Sequence, residues 1–195
     1  MGALYLAGAK LTFRSFRRSA VSVLLLTALA VLWIYPEWFG LGQVETRSAA
    51  GETIQVRDGD TMTIGALDHR LLGIDAPEFS QTCKDEKGLD WSCGKEARGA
   101  LVALVTGHTI ACEERARDKY NRAVATCHDE QGRDLARMMA ARGLAISFGG
   151  LTEGPYADEE AQAKAAKRGL WRGPFDIPSE WRVTHPRGAN GEKVT

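Results

Sequence analysis

The chain has no excess of charge of either sign: 25 Lys and Arg stand against 25 Asp and Glu in 195 residues. A broadly basic surface of the kind that coats nucleic acid is thereby excluded, so any phosphate binding must come from a few placed arginines. Its four cysteines show no Cys-x-x-Cys spacing, which leaves a zinc cluster without support. Its histidines, His69, His108, His128 and His185, fall at no metal-ligand spacing and read as incidental. No internal repeat or low-complexity segment is present, which excludes a solenoid or array. What remains is 44% hydrophobic, enough for one domain of ordinary size with a real core, plus extra segments.

Those extra segments begin at the N-terminus. The first fifty residues carry Lys10, Arg14, Arg17, Arg18 and Arg47 against Glu37 and Glu45, while the rest is slightly acidic. Ala20 to Tyr35 is free of charge and closed by Pro36 and Glu37, with Trp33, Tyr35 and Trp38 suited to a membrane interface. We expect a basic cytoplasmic segment (1–18), a transmembrane anchor or uncleaved signal (19–39), a linker (40–52), a main domain (53–175) and a polar C-terminal tail (176–195). The basic cluster ahead of the run places the main domain outside the cytoplasm, at the inner membrane and in the periplasm. The rival is a cleaved signal peptide and a secreted protein, although the nearest small-residue cleavage site, Ser48 to Ala50, lies well downstream.

The main domain alternates strand and helix signals. "TIQV", "TMTIGA" and "HRLLGI" form a three-stranded meander from Thr53 to Ile74; "TIACEE" and "RAVATCH" are two further strands joined by "RARDKYN". Ala97, Leu101, Leu104 and Val105 recur at helical spacing and predict a helix over 95–105. "RDLARMMAARG" is a second helix, with Asp134 as its cap, Gly143 as its stop and Met138 and Met139 toward the core; "ADEEAQAKAAKRGLW" is a third, ending at Gly169. The predicted class is α+β, mainly β: a five-stranded barrel of the oligonucleotide-binding (OB) type with three flanking helices, preceded by one N-terminal transmembrane helix.

Four charged residues converge on that barrel. In "VRDGDTMTI", Asp58 and Asp60 flank a glycine, which on its own is only a turn. In "HRLLGIDAPE", Pro77 stops the strand, so Asp75 and Glu78 sit at a strand exit. Pairing the strand that holds Asp60 with the strand that holds Arg70 gathers Asp60, Arg70, Asp75 and Glu78 at one end. Hard oxygen donors in that number suit Ca²⁺ or Mg²⁺, and the arginine suits a forked contact with phosphate.

"DGDT", "RLLGIDAPE", "DKYNR" and "EAQAKAAKRGLW", in this order from about Thr53 to Trp171, resemble the successive signature segments of the thermonuclease, or staphylococcal nuclease-like, family. The resemblance implies a five-stranded OB barrel with three helices and Ca²⁺-dependent hydrolysis of DNA and RNA, with Mg²⁺ as a second candidate ion. By position, Asp60 and Asp75 resemble the metal carboxylates, Ala76 supplies a backbone carbonyl to the metal, and Asp58 resembles the outer acid of the same loop. Arg70 and Arg122 match the two family arginines, and Glu78 matches the glutamate discussed as general base. Lys119 and Tyr120 match residues lining the nucleotide site, with Asn121 in place of a common glycine. The family's base-stacking tyrosines have no direct counterpart; Phe148 and Tyr156 stand at shifted places.

Two other classes remain open. One is a membrane-tethered OB module that binds nucleic acid or another ligand with little catalysis; the other is an envelope structural protein, resting only on the anchor. No protein partner is inferable, and a monomer is expected, with the lipid bilayer and DNA or RNA as its contacts. The hairpin joining "TIACEE" to "RAVATCH" sets Cys112 opposite Cys127, which predicts that disulfide and, by elimination, Cys83 with Cys93.

Overall fold

The computed structural model describes residues 13–34, 45–149 and 154–186, and the chain divides after Gln43 into two units. The first holds helix α1, Phe13–Ile34. Among the described residues no helix is long and apolar enough to cross a membrane. The charge-free part of α1, residues 19–34, spans about 24 Å at 1.5 Å per residue, short of a hydrocarbon layer of about 30 Å. The expected membrane anchor is therefore not shown.

In the second unit the expected meander forms. Strands β2 (Gln55–Val56), β3 (Thr61–Ile64) and β4 (Leu67–Leu71) pair antiparallel in sequence, with Thr61 opposite Arg70 and Ile64 opposite Leu67. β5 (Ile74–Asp75), β6 (Cys83–Lys84) and β7 (Asp90–Trp91) are short. β8 (Thr109–Arg117) and β9 (Ala123–Asp129) form the second hairpin, and β9 joins β4 in parallel. An edge strand that the sequence did not signal, β1 (Thr46–Ala50), pairs with β8, so the main sheet has six strands in the order β1-β8-β9-β4-β3-β2. β10 (Ile146–Ser147) pairs with β5, and β6 with β7. This curled half-barrel with helices is an α+β, OB-like arrangement, with one strand more in its main sheet than expected.

The helices follow their local signals. α2 (Cys93–Val105) buries Ala97, Leu101, Leu104 and Val105, the stripe its spacing predicts. α3 (Leu135–Ala141) is capped by Asp134, whose carboxylate accepts from the N–H groups of Ala136 and Arg137, and Gly143 follows at φ +69°. α4 (Ala157–Ala165) carries three acids in its first turn, where the helix dipole favours them. A further helix, α5 (Pro178–Thr184), stands where a polar tail was expected. Met62, Leu71, Leu101, Ile110 and Met139 are fully buried at the centre of the core. Truncating one of them to alanine costs about 2–5 kcal/mol. Both predicted disulfides are present, and Cys112 and Cys127 are directly paired across β8 and β9.

Candidate active site

The turn from β2 into β3 needs a glycine between its two acids. A Cβ at Gly59 would lie 2.8 Å from the side chains of both Ala76 and Ala97, so the absence of one lets the turn press against the β5 exit and α2. Asp58 Oδ1 accepts from the N–H of Asp60 at 3.2 Å, fixing the loop as an Asx turn. Asp60, 2% exposed, accepts from the Thr61 hydroxyl at 2.8 Å and from the Ala76 N–H at 3.1 Å. For Ala76 the contact with Asp60 is thus through its N–H.

The register of β3 and β4 then brings Arg70 to the acids. Its guanidinium forks, donating from Nη1 to Asp60 at 2.8 Å and from Nη2 to Asp75 at 2.7 Å. β10 lies along β5, with Ile146 opposite Asp75, and just beyond it Phe148, whose ring is exposed, donates its N–H to the Gly73 carbonyl at 2.8 Å. Tyr156, the other aromatic expected near the bases, is buried and donates its hydroxyl to Asp134 at 2.8 Å, so it is an internal brace.

A second guanidinium comes from α5. Arg182 donates to both oxygens of Asp75 at 3.0 Å and to Glu78 at 3.1 Å, joining residues more than a hundred positions apart. Sequence reasoning missed it, although Pro178 followed by Ser179 and Glu180 is a helix-start signal. Glu78 is positioned from its own side by its N–H, which meets Gln81 Oε1 at 3.3 Å.

Lys119, Tyr120 and Arg122 form a separate group at the tip of the β8–β9 hairpin. Asp118 organises it, accepting from the N–H groups of Tyr120 and Arg122 and from Arg122 Nε at 2.7 Å. Lys119 and Arg122 lie over the Tyr120 ring at 5.1 and 5.6 Å, and that ring is 69% exposed. Asn121 has φ +64°, a left-handed conformation that asparagine tolerates, which explains how it replaces a glycine. The structure therefore joins Asp58, Asp60, Arg70, Asp75 and Glu78 in one cluster and holds Arg122 to Asp118 instead.

Negative charge is crowded in the cluster. Burial, reinforced by the charge of Asp60, pushes the Asp58 carboxyl up to about 8. Burial and Asp60 also raise Asp75, against the lowering effects of Arg70 and Arg182. Burial works against the charge of Arg70, yet Asp60 and Asp75 raise its pKa overall. Four carboxylates crowded in this way match a hard cation in donor chemistry. The arrangement itself has guanidinium groups between them: among the described residues no group of three or more His, Cys, Asp or Glu is placed to hold a metal ion.

Several known proteins are similar to this chain. The succinoglycan biosynthesis protein ExoI of Rhizobium meliloti (strain 1021) is 39% identical over 118 residues, covering 60% of this chain and 62% of that protein. A probable endonuclease LCL3 of Pyricularia oryzae is 28% identical over 161 residues, 76% of this chain and 56% of that one. A probable staphylococcal-like nuclease, CAN1, of Oryza sativa subsp. japonica is 31% identical over 115 residues, 58% and 31% of the two chains. The matches thus cover between about a third and three fifths of these relatives' own lengths. The family model for staphylococcal nuclease homologues matches residues 68–173, which hold Arg70, Asp75, Glu78 and Arg122 and stop short of Arg182. With more than half of its length matched by that model, the chain belongs to the staphylococcal nuclease homologue family.

Proposed function

We propose that the protein is a nuclease that hydrolyses phosphodiester bonds of DNA, RNA or both, with a divalent cation, Ca²⁺ better than Mg²⁺, as its cofactor. The observation that carries this reading is the Arg70 fork across Asp60 and Asp75, with Glu78 at the strand exit, in a chain of this family. When bound, the cation supplies positive charge that polarises a phosphate oxygen. Asp60 and Asp75 would hold it, with the Ala76 carbonyl and with Asp58 behind them. Arg70 offers a bidentate fork to the phosphate and takes charge that grows on its equatorial oxygens. Arg122 joins it once it is released from Asp118. Glu78 accepts a proton from the attacking water or orients it, a contribution of about 10²- to 10⁴-fold for a true base. Lys119 and Tyr120 line the nucleotide site, and Phe148 offers an exposed ring beside it.

One observation favours a second reading. Arg182 already satisfies Asp75 and Glu78, and an acid cluster so neutralised has no need of a metal. That suits an OB-like module that binds nucleic acid without cutting it. Digestion of single-stranded DNA, double-stranded DNA and RNA with Ca²⁺, with Mg²⁺ and with chelator separates the two. Cleavage that vanishes in chelator supports the nuclease; full cleavage in chelator overturns the metal site; binding without cleavage supports the module.

We place the main domain outside the cytoplasm, tethered through α1 and the apolar run around it or secreted if that segment is cleaved. The two disulfides support an oxidising compartment. An alkaline carbonate wash that leaves the full chain in the membrane pellet supports the tether, and release of a shorter protein starting near Gly51 refutes it.

A further inference from the structure

We propose that Phe79, with Lys95 and Arg98 of α2, is a stacking platform for a nucleobase of single-stranded nucleic acid, next to Glu78. The proposal rests on the nucleic-acid reading above and adds a contact surface distinct from Lys119, Tyr120 and Phe148. Phe79 is a large aromatic side chain left 43% exposed, one residue after Glu78. Lys95 Nζ lies 5.9 Å and the Arg98 guanidinium 5.5 Å from the centre of its ring. The same combination of exposed ring and two cations recurs at Tyr120 with Lys119 and Arg122.

The cations point to an anion. Most described arginines carry a carboxylate partner, but among the described residues neither Lys95 nor Arg98 has one within ion-pair distance. Arg98 is tied instead through Nε to the carbonyl of Val56 at 2.9 Å, which holds it beside the ring. An aromatic face next to two uncompensated cations is the chemistry that takes base and phosphate of one nucleotide together. A base paired in a duplex is already stacked, so the surface selects single strands and tolerates any base.

The platform is also rigid before anything binds. A Cβ at Gly94 would lie 1.8 Å from the Glu78 carbonyl oxygen, so the first turn of α2 rests directly on the backbone that carries the ring. Gly94 donates its N–H to the Gln81 carbonyl, the fully buried Gln81 side chain reaches the Asp176 carbonyl, and Cys83–Cys93 closes the loop. A loop braced this way loses little entropy when a base settles on the ring it carries.

The test is fluorescence anisotropy of a labelled oligo(dT) of about a dozen nucleotides with the full chain, in chelator so that nothing is cut. Phe79→Ala should weaken binding roughly 10-fold, within the range of one stacked base, and leave binding of the matching duplex unchanged. Phe79→Trp should restore it, which a merely structural role would not. Lys95→Ala should reduce the slope of log affinity against log salt by about 0.7, the share of one phosphate contact on a single strand. If the wild type binds the oligonucleotide and Phe79→Ala binds it equally, the platform is overturned while the nuclease reading stands. If the wild type binds no oligonucleotide in chelator, the platform is overturned, and the nuclease reading is decided separately by the digestion series with Ca²⁺.

Discussion

Arg182→Ala should make the metal-free protein less stable and at the same time improve its affinity for Ca²⁺. Arg182 donates three hydrogen bonds to two carboxylates, and the side chains of Asp75 and Glu78 are only 3% and 12% exposed. Hydrogen bonds to charged groups contribute about 1.5–3 kcal/mol each. Arg182 itself is 33% exposed, so solvent screening reduces the total, and we expect a loss of about 2 kcal/mol. For a body of this size that lowers Tm by roughly 4–8 °C in chelator. A cation that binds Asp60 and Asp75 has to displace the same guanidinium in the wild type. The energy lost by the metal-free variant therefore returns as metal affinity, about 30-fold for 2 kcal/mol. Thermal melts in chelator and in saturating Ca²⁺, with calorimetric titration of Ca²⁺, close the cycle: the two proteins should differ in chelator and converge in Ca²⁺. A deficit that persists unchanged in Ca²⁺, with no gain in affinity, would show that Arg182 is a structural brace and does not compete with a metal.

Three further outcomes follow from the same geometry. Arg70→Lys keeps the charge and loses the fork across Asp60 and Asp75, so Tm should fall by several degrees and cleavage, assayed well below it, by at least about 10²-fold, measured by thermal scan and oligonucleotide digestion. Replacing Cys112 and Cys127 together by alanine opens a link across 15 residues and should cost about 3 kcal/mol on the chain-entropy model, lowering Tm far more than activity assayed well below it. Gly94→Ala places a methyl against the Glu78 carbonyl and should both destabilise the domain and reduce cleavage, whereas the open position Gly99 should accept alanine with a neutral or slightly stabilising effect.

Local chemistry explains which parts were legible. The Asp-Gly turn, the proline-stopped strand and the facing cysteines carry short-range signals, and their elements formed in the expected register. The stripe on α2 and the Asp134 cap were legible for the same reason. β1, "TRSAA", was not, because an edge strand with one partly buried residue in five shows no alternation and is held by pairing to β8. The acids and Arg70 could be gathered from sequence because they lie within twenty residues of one another across one hairpin. Arg122 was expected beside them, but the side chain of Asp118, four residues before it in the hairpin, takes its Nε. Arg182 was illegible because its contacts depend on where a seven-residue helix docks, a tertiary fact with no short-range signature.

The reach of Arg182 bears on where the protein can be cut. A fragment ending at residue 173, the limit of the family match, would contain Asp60, Arg70, Asp75, Glu78 and Arg122 and would look complete by alignment. It would nevertheless be a different electrostatic object, with Asp75 and Glu78 stripped of one cation and Gln81 deprived of the Asp176 carbonyl. During synthesis the same condition holds transiently, since the acids emerge from the ribosome about a hundred residues before the arginine that neutralises two of them. The minimal domain defined by homology and the minimal domain defined by charge balance therefore end at different residues in this protein.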